Sequence, residues 1–563
     1  MRHLNLTIPT HILQCITVLM FLLLSNMTYS KHSAERQKAP LKIHYNKQEA
    51  SNSQPSEMSK GLITIKHIRL QGDTLFPQYG ITNQFLYNRI NQVYSHMDEK
   101  LSIADLNKVA DSITLAYREK GLTFNQAYVV PQEITNSTLT IHVLKGVLAE
   151  IDVLNNDLYS KEQLTAPFSK LMGKVIYEPE IRKIISELNN KPGLKVFSFF
   201  SVGSKQGEAR LNIRVMDETQ HQANISIDNK GVEQTGLYRG LYNHTINNPF
   251  HLSGQLKGTL FTTSEKENYY GGLNYSFPLT PNNQIDISAS RSDFAITGQF
   301  TELGLEGDLT ALSIAWSNRL TPTKLPNTRH KQGLTIAHKQ SNVTSDAFPE
   351  VFDDEVIYSM ISANYQLYLL ENSTSTSQHF FSLTPSYSII HQSENINLNP
   401  DFWLVHGTYQ LTSAIFNELL TLKSPLKLLI NSQFTPEALP SSEQFAVTGP
   451  NSNRGYEPGI FSGDSAIALT VEQDIHLSLG LLDNYKDFFL TPFIFYDFSY
   501  GEIHHDSKLS AQFQSIGFGL KSQINSYAKA SISIGKPIHY NISKQLDIDP
   551  KGSHIYAHIS FSF

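Results

Sequence analysis

The chain of 563 residues contains one cysteine and two tryptophans, and only 17% of its residues are charged. A single cysteine cannot close a disulfide within the chain, which excludes a cross-linked secreted scaffold. The charged fraction lies well below the roughly 25% of an average soluble chain. Lysine and arginine number 45 against 51 acidic residues, with no block of like charge. A basic surface for nucleic acid is therefore missing. After Leu24 no apolar run approaches the roughly 18 residues of a membrane-spanning helix. The signatures G-x-x-x-x-G-K-[ST], H-E-x-x-H and G-x-S-x-G are also absent. No nucleotide, metal, cofactor or enzymatic activity is expected. The space left by charge is filled by 26 Tyr, 31 Phe and abundant Ser, Thr and Asn. An aromatic-rich, charge-poor composition excludes disorder for the bulk of the chain.

Arg2 is the only charge before Lys31, and Ile12 to Leu24 is apolar except at Gln14 and Thr17. With the exit Thr28-Tyr29-Ser30, residues 1–30 read as a secretory signal peptide. The competing reading, a membrane anchor, fails because spanning takes about 20 apolar residues. Cys15 follows Leu13-Gln14 within the apolar run, so no lipoprotein anchor is read. Residues 31–61 are polar and unpatterned, a linker in which any short helix is undefined.

Residues 62–146 form a first module. A strand is expected at Ile63, Ile65, Ile68 and Leu70, then a helix from Thr82 to Val93. A second helix opens at Ser102, with Asp105 three residues on as a capping-box variant. Its stripe runs through Ile103, Leu106, Ala110, Ile113, Leu115 and Tyr117 and stops at Gly121. Strands Phe124–Val130 and Leu139–Leu144 close the unit. Residues 147–220 repeat the order: strand Val147–Leu154, helices Lys161–Leu171 and Glu178–Leu188, then strands Leu194–Val202 and Ala209–Val215. Two β-α-α-β-β units in succession suggest duplicated modules whose sheet edges can accept an extended peptide.

From His221 to Phe563 the pattern changes to period-2 alternation. Ala223, Ile225 and Ile227 alternate with polar residues, as do Ile285, Ile287 and Ala289. In the last stretch Ile555, Ala557, Ile559, Phe561 and Phe563 share one face, and Tyr556, His558, Ser560 and Ser562 the other. Tyr556, Ile559, Phe561 and Phe563 are read together as a C-terminal strand signal. A soluble sandwich alternates in the same way, but this region is too long for one sandwich and follows a signal peptide. The fold expected is mainly β: a transmembrane antiparallel barrel over 221–563, behind two α+β modules. A strand-plus-loop unit of about 20 residues gives on the order of 16–18 strands.

Two segments break the barrel's pattern. One is the loop after Leu426–Phe434, which contains Thr448-Gly449-Pro450-Asn451-Ser452-Asn453-Arg454-Gly455-Tyr456. The other is the strand Pro492–Ser499, where Phe493, Phe495, Asp497 and Ser499 share one face. A lone Arg-Gly-Tyr means little, and a lone strand Asp is ordinarily solvated by the lumen. Together they suggest a loop folded inward, with the planar guanidinium of Arg454 held by the Asp497 carboxylate.

On these residues the chain resembles the two-partner secretion transporters (TpsB, the ShlB/FhaC/HecB hemolysin secretion/activation type), relatives of the BamA barrel-assembly proteins. The resemblance spans about residues 60–563. It implies two periplasmic POTRA modules, 62–146 and 147–220, a 16-stranded outer-membrane barrel in a Gram-negative bacterium, and an inward-folded sixth extracellular loop. The family's Val/Ile-Arg-Gly-Phe/Tyr motif maps onto Asn453, Arg454, Gly455 and Tyr456. Its barrel-wall partner, Phe-x-Gly/Asp-x-Gly, maps onto Phe495, Asp497 and Ser499. Asn453 replaces an aliphatic residue and Ser499 a glycine. The stretch Leu188-Asn189-Asn190-Lys191-Pro192-Gly193 looks like the family's second POTRA.

The implied partners are a TpsA-like secreted exoprotein, outer-membrane lipid and the barrel-assembly machinery during biogenesis. The exoprotein would arrive unfolded, pair with POTRA edges and thread through the lumen. Two alternatives stay open: a BamA-type assembly or insertion factor, and a passive porin. His504-His505-Asp506 reads as a solvated loop tip rather than a metal site.

Overall fold

The computed structural model describes residues 62–563, apart from 265–267, 321–326, 350–353, 371–376, 394–397, 414–424, 476–488, 505–508, 524–526 and 544–551. The expected signal peptide and linker lie outside the described residues, as do His505 and Asp506.

The first module contains β1 (His67–Gly72), α1 (Asn83–Tyr94), α2 (Ile103–Glu119), β2 (Gln126–Val129) and β3 (Thr138–Leu144). Its sheet has the order β1-β3-β2, with β1 parallel to β3. Thr82 caps α1, and Ser102 with Asp105 forms a complete capping box on α2. Leu106, Ala110, Ile113 and Tyr117 bury the inner face of α2 against the sheet. Ile103 and Leu115, also expected in that stripe, are about half exposed. Leu115 stands about 200° round the helix from Ile113 and so faces away. Ile63 and Ile65 lie outside β1: Ile63 bridges to Leu101, and Ile65 enters the core directly. β2 is shorter than expected because Phe124 leaves the sheet to pack on Phe200 of the second module, with ring centroids 4.4 Å apart.

The second module repeats the order with β4 (Val147–Leu154), α3 (Lys161–Thr165), α4 (Glu178–Leu188), β5 (Leu194–Val202) and β6 (Glu208–Glu218). The helix expected over Lys161–Leu171 becomes a 3-10 helix at Ala166. Pro167 lacks the N–H that an α-helical turn needs there. The sheet order is β4-β6-β5, so both modules share one topology.

Sixteen strands among the described residues, from His221–Asp228 to His554–Ser562, form a closed antiparallel barrel. Each pairs with its sequence neighbours, and the last strand returns to the first. Closure is in strand register from Asn224–Ser562 to Asp228–His558, with backbone bonds carrying it one pair further at each end, Ala223–Phe563 and Asn229–Ala557. By contrast Thr328–Ser345 and Asp354–Leu370 stay paired from Thr328–Leu369 to Val343–Asp354. Alternation sorts the two faces: Ile227, Leu312, Ile336, Phe518 and Ile555 are exposed on the outer wall. In a bilayer that surface meets hydrocarbon, and every backbone polar group is satisfied by its neighbour strand.

The second module is fastened to the turn between the barrel strands Arg239–Asn247 and Gln255–Thr263. Asn248 Nδ2 donates to the Leu158 carbonyl at 2.9 Å, and Gln163 Nε2 to that of His251 at 2.7 Å. Lys191 Nζ donates to Ser253 Oγ at 3.1 Å and lies 5.3 Å from the Tyr159 ring. Burial pushes the Lys191 ammonium below its ordinary pKa and the Tyr159 phenol above its own. A Cβ on Gly193 would stand 2.2 Å from the Thr219 carbonyl oxygen, so the last position of the Lys191-Pro192-Gly193 turn admits no side chain.

Candidate functional site

The strand Leu426–Phe434 ends at the extracellular rim, and the chain then turns back into the barrel before resuming at Ser465–Asp474. A short hairpin, Phe445–Ala446 with Ser462–Gly463, gives this loop a stem. Val447, Tyr456 and Phe461 pack on Ala466, Ala511 and Phe513 of the inner wall. An apolar seat in a polar lumen holds the loop by desolvation as well as by hydrogen bonds.

The tip carries the Arg454 side chain to Asp497, which is fully buried on the strand Phe489–Ile503. Arg454 Nε and Nη2 each donate to the carboxylate at 2.9 Å, and its backbone N–H donates at 3.0 Å. The remaining Nη1 donates to Glu472 at 2.9 Å. The guanidinium lies 3.5 Å from the centroid of Phe495. Thr470 Oγ1 also donates to Asp497 at 2.9 Å. A forked cation thus meets a carboxylate on one edge, a second carboxylate on the other, and an aromatic face below.

Four ladder residues went unseen in the sequence. Lys521 on the strand Leu509–Gln523 donates to both Glu472 and Asp474, and stands 4.4 Å from the Phe493 ring. Lys427 on Leu426–Phe434 donates to Asp474. Three cations and three carboxylates therefore interleave, Arg454 from the loop tip and the other five from four neighbouring strands. Each of those five lies at an inward parity position, but their meeting depends on register across the strands, which no local pattern reports.

Asn453, Gly455 and Tyr456 fix the tip around this pair. Gly455 lies so close to the wall that a Cβ would fall 2.3 Å from that of Ser515. Gly535 faces the tip, and a Cβ there would meet the Arg454 carbonyl oxygen at 2.2 Å. Tyr456 OH donates to the His539 carbonyl at 2.8 Å, and Tyr556 OH donates to that of Tyr456 at 2.9 Å. Tyr556, grouped above with a C-terminal signal, faces inward and contacts the tip. Ile559, Phe561 and Phe563 occupy the opposite, outward face.

The two departures from the family pattern touch one another. Asn453 Nδ2 donates to Ser499 Oγ at 3.3 Å and to the Phe513 carbonyl at 3.1 Å. Ser515 Oγ donates to Asn453 Oδ1 at 2.6 Å and receives the Gly455 N–H at 3.2 Å. All three side chains are fully buried. Where the resembled motifs carry an aliphatic residue and a glycine, this chain joins an amide to two hydroxyls.

The buried Asp464, also unforeseen, gathers the loop's base. It accepts from the Leu439 N–H at 3.1 Å, Gln444 Nε2 at 2.9 Å and the His504 N–H at 2.7 Å. Among the described residues no cluster suited to a metal ion is found.

Residues 207–522 match the model of the family described as haemolysin secretion/activation protein ShlB/FhaC/HecB, and residues 63–146 match the ShlB-type POTRA domain. The heme/hemopexin transporter protein HuxB of Haemophilus influenzae (strain 86-028NP) is 25% identical over 464 residues, covering 80% of each chain. The solved structure of CdiB from Escherichia coli superposes with a TM-score of 0.60 at 17% identity, over 94% of each chain. BamA from Haemophilus ducreyi lacking POTRA domains 1–3 gives a TM-score of 0.55 at 13% identity, over 89% of this chain and all of that one.

Proposed function

The chain belongs to the haemolysin secretion/activation family ShlB/FhaC/HecB, and from that premise we propose that its inward loop is the gate through which one partner exoprotein leaves the cell. The protein is an outer-membrane transporter of two-partner secretion, with its POTRA region in the periplasm and a secreted protein as cargo. The boundaries that fit this reading are 62–146 and 147–220 for two POTRA modules and 221–563 for the barrel. Its outer wall would meet outer-membrane lipid, and its insertion would use the barrel-assembly machinery.

The observation that carries the gate reading is the seating of Arg454. A barrel that only admitted small solutes would not need a loop tip tied to Asp497 and Glu472 and fitted against Gly535 without room for a side chain. The cargo, still unfolded, would add a strand to a free POTRA edge such as β5, where backbone hydrogen bonds give affinity and side chains give choice. It would then pass the lumen as the loop shifts aside or lines the conduit, with folding outside giving direction.

Deleting the gene tests this. Loss of one exoprotein from the medium, with other outer-membrane barrels at normal levels, is the expected result. A general loss of barrels would replace the reading with an assembly factor. Arg454→Ala should then reduce export while the protein still inserts, and undiminished export by inserted protein would refute the gate.

A further inference from the structure

The loop is fastened at a second place, on another part of the wall. Its descending arm runs from Thr435 to Glu443. Leu439, almost fully buried, fills an apolar patch of inward-facing Val356, Tyr358, Met360, Phe402 and Leu404. Four residues on, the Glu443 carboxylate accepts from Tyr358 OH at 2.5 Å and from Lys339 Nζ. Tyr358 OH also lies 3.2 Å from Ser442 Oγ, and the Lys339 ammonium lies 5.7 Å from the Tyr358 ring. The Glu443 side chain is 9% exposed and that of Lys339 23%.

No residue here is shared with the Arg454 anchorage. Lys339 and Tyr358 belong to Thr328–Ser345 and Asp354–Leu370, whereas Glu472 and Asp497 belong to Ser465–Asp474 and Phe489–Ile503. Three further strands separate the two places around the barrel. The arm and tip are joined through the loop base, where Asp464 holds Leu439 and Gln444. Charge-assisted bonds at both ends, from Lys339 and Tyr358 at one and from Asp497 and Glu472 at the other, lie on strands that do not pair with one another and make a strap rather than a hinged flap.

We propose that Glu443 is a positioning residue of the gate, the centre of a second catch that opens independently of the Arg454–Asp497 catch. This rests on the reading of the loop as a gate. Freeing Arg454 alone lets the tip leave its wall while the arm still crosses the lumen. Freeing Glu443 alone releases the arm and uncovers the apolar patch while the tip stays seated.

Residues 62–563 contain no native cysteine, so introduced thiols report on each catch. Leu439→Cys reports the arm, and Ser452→Cys, whose native side chain is mostly buried, reports the tip. Maleimide labelling is measured on the full-length protein in lipid vesicles, with and without Glu443→Ala or Arg454→Ala. Glu443→Ala should speed labelling at 439 by about tenfold or more, the loss expected for a charge-assisted bond, and leave 452 unchanged. Arg454→Ala should do the reverse. Tyr358→Phe and Lys339→Met, which leave the loop sequence intact, should each speed labelling at 439 in the same direction. Unchanged labelling at 439 in all three variants overturns the second catch, and equal acceleration at both sites overturns its independence. Labelling needs no cargo, so this failure stays separate from a failure of the secretion reading, which export alone decides.

Discussion

Asp497→Asn preserves the size of the side chain and removes its charge at the centre of the six-member ladder. Three carboxylates there balance three cations, and Asp497 takes three of the four hydrogen bonds that Arg454 makes. Its side chain has no exposed surface, while that of Arg454 is 14% exposed. The substitution leaves one largely buried positive charge without its main partner. Removing one member of a buried pair costs about 3–5 kcal/mol. The Glu472 bond and the Phe495 ring survive, which places the cost near the lower end. A loss of about 3 kcal/mol shifts the ratio of seated to unseated tip on the order of a hundredfold. Glu472→Gln removes the charge behind one of the four Arg454 bonds and behind one of the two bonds of Lys521, and should cost the Arg454 seat about half as much. Single-channel recording in planar bilayers checks the order: Asp497→Asn should open most often, Glu472→Gln less, and the native protein least. A cycle with Arg454→Ala supplies the pairwise term. Equal openings for the two variants, or additivity within about 0.5 kcal/mol, would refute the assigned geometry.

Gly455→Ala should insert normally yet fail to seat the tip, since overpacking here costs about 1–3 kcal/mol, and protease should then cut the loop faster. Asn453→Val should cost about 1–3 kcal/mol by stranding the Ser515 hydroxyl and the Phe513 carbonyl. Adding Ser499→Gly should cost less than the two single changes summed, and thermal unfolding of the double variant measures the difference. In the first module, hydrogen bonds from Lys108 and Ser102 hold the Asp105 carboxyl at about 2. That pKa is depressed on folding, so its contribution is complete above the ordinary carboxylate value of about 3.9 and fades as pH falls towards 2. The protection of α2 amides relative to their intrinsic exchange rate should fall over that range, and Ser102→Ala should flatten the dependence.

Much of this architecture is legible in the chain because it is set by local periods. Ser102 with Asp105, the β4 and α4 bounds and the inward set Phe493, Phe495, Asp497, Ser499 all follow from spacing of 3.6 or 2. The Arg454–Asp497 pair is within reach once a loop is allowed to fold inward. Lys427, Glu472, Asp474 and Lys521 are not, because each looks like an ordinary lumen charge until the registers of four strands are known. Lys339 and Glu443 are 104 positions apart, and nothing local at either marks the other. Ile103 and Leu115 show the opposite failure: both are apolar, but Leu115 points away from the stripe and Ile103 is the first residue of α2, so place on the helix and not polarity decides their exposure.

The short pairing between the first and last strands has a consequence for assembly. Every other neighbour pair in the barrel joins strands close in sequence, whereas closure brings together Asn224 and Ser562. Local hairpins close small loops cheaply; this closure carries the entropy of a loop spanning the whole barrel and gains a short ladder in return. On loop entropy alone, closure is the costliest of the barrel's pairings. A slip of one residue during it would turn Tyr556 to the lipid and forfeit its bond to the Tyr456 carbonyl. The loop tip thereby reads the register of the final strand, so a barrel that has closed wrongly is also one in which the tip loses a bond that seats it.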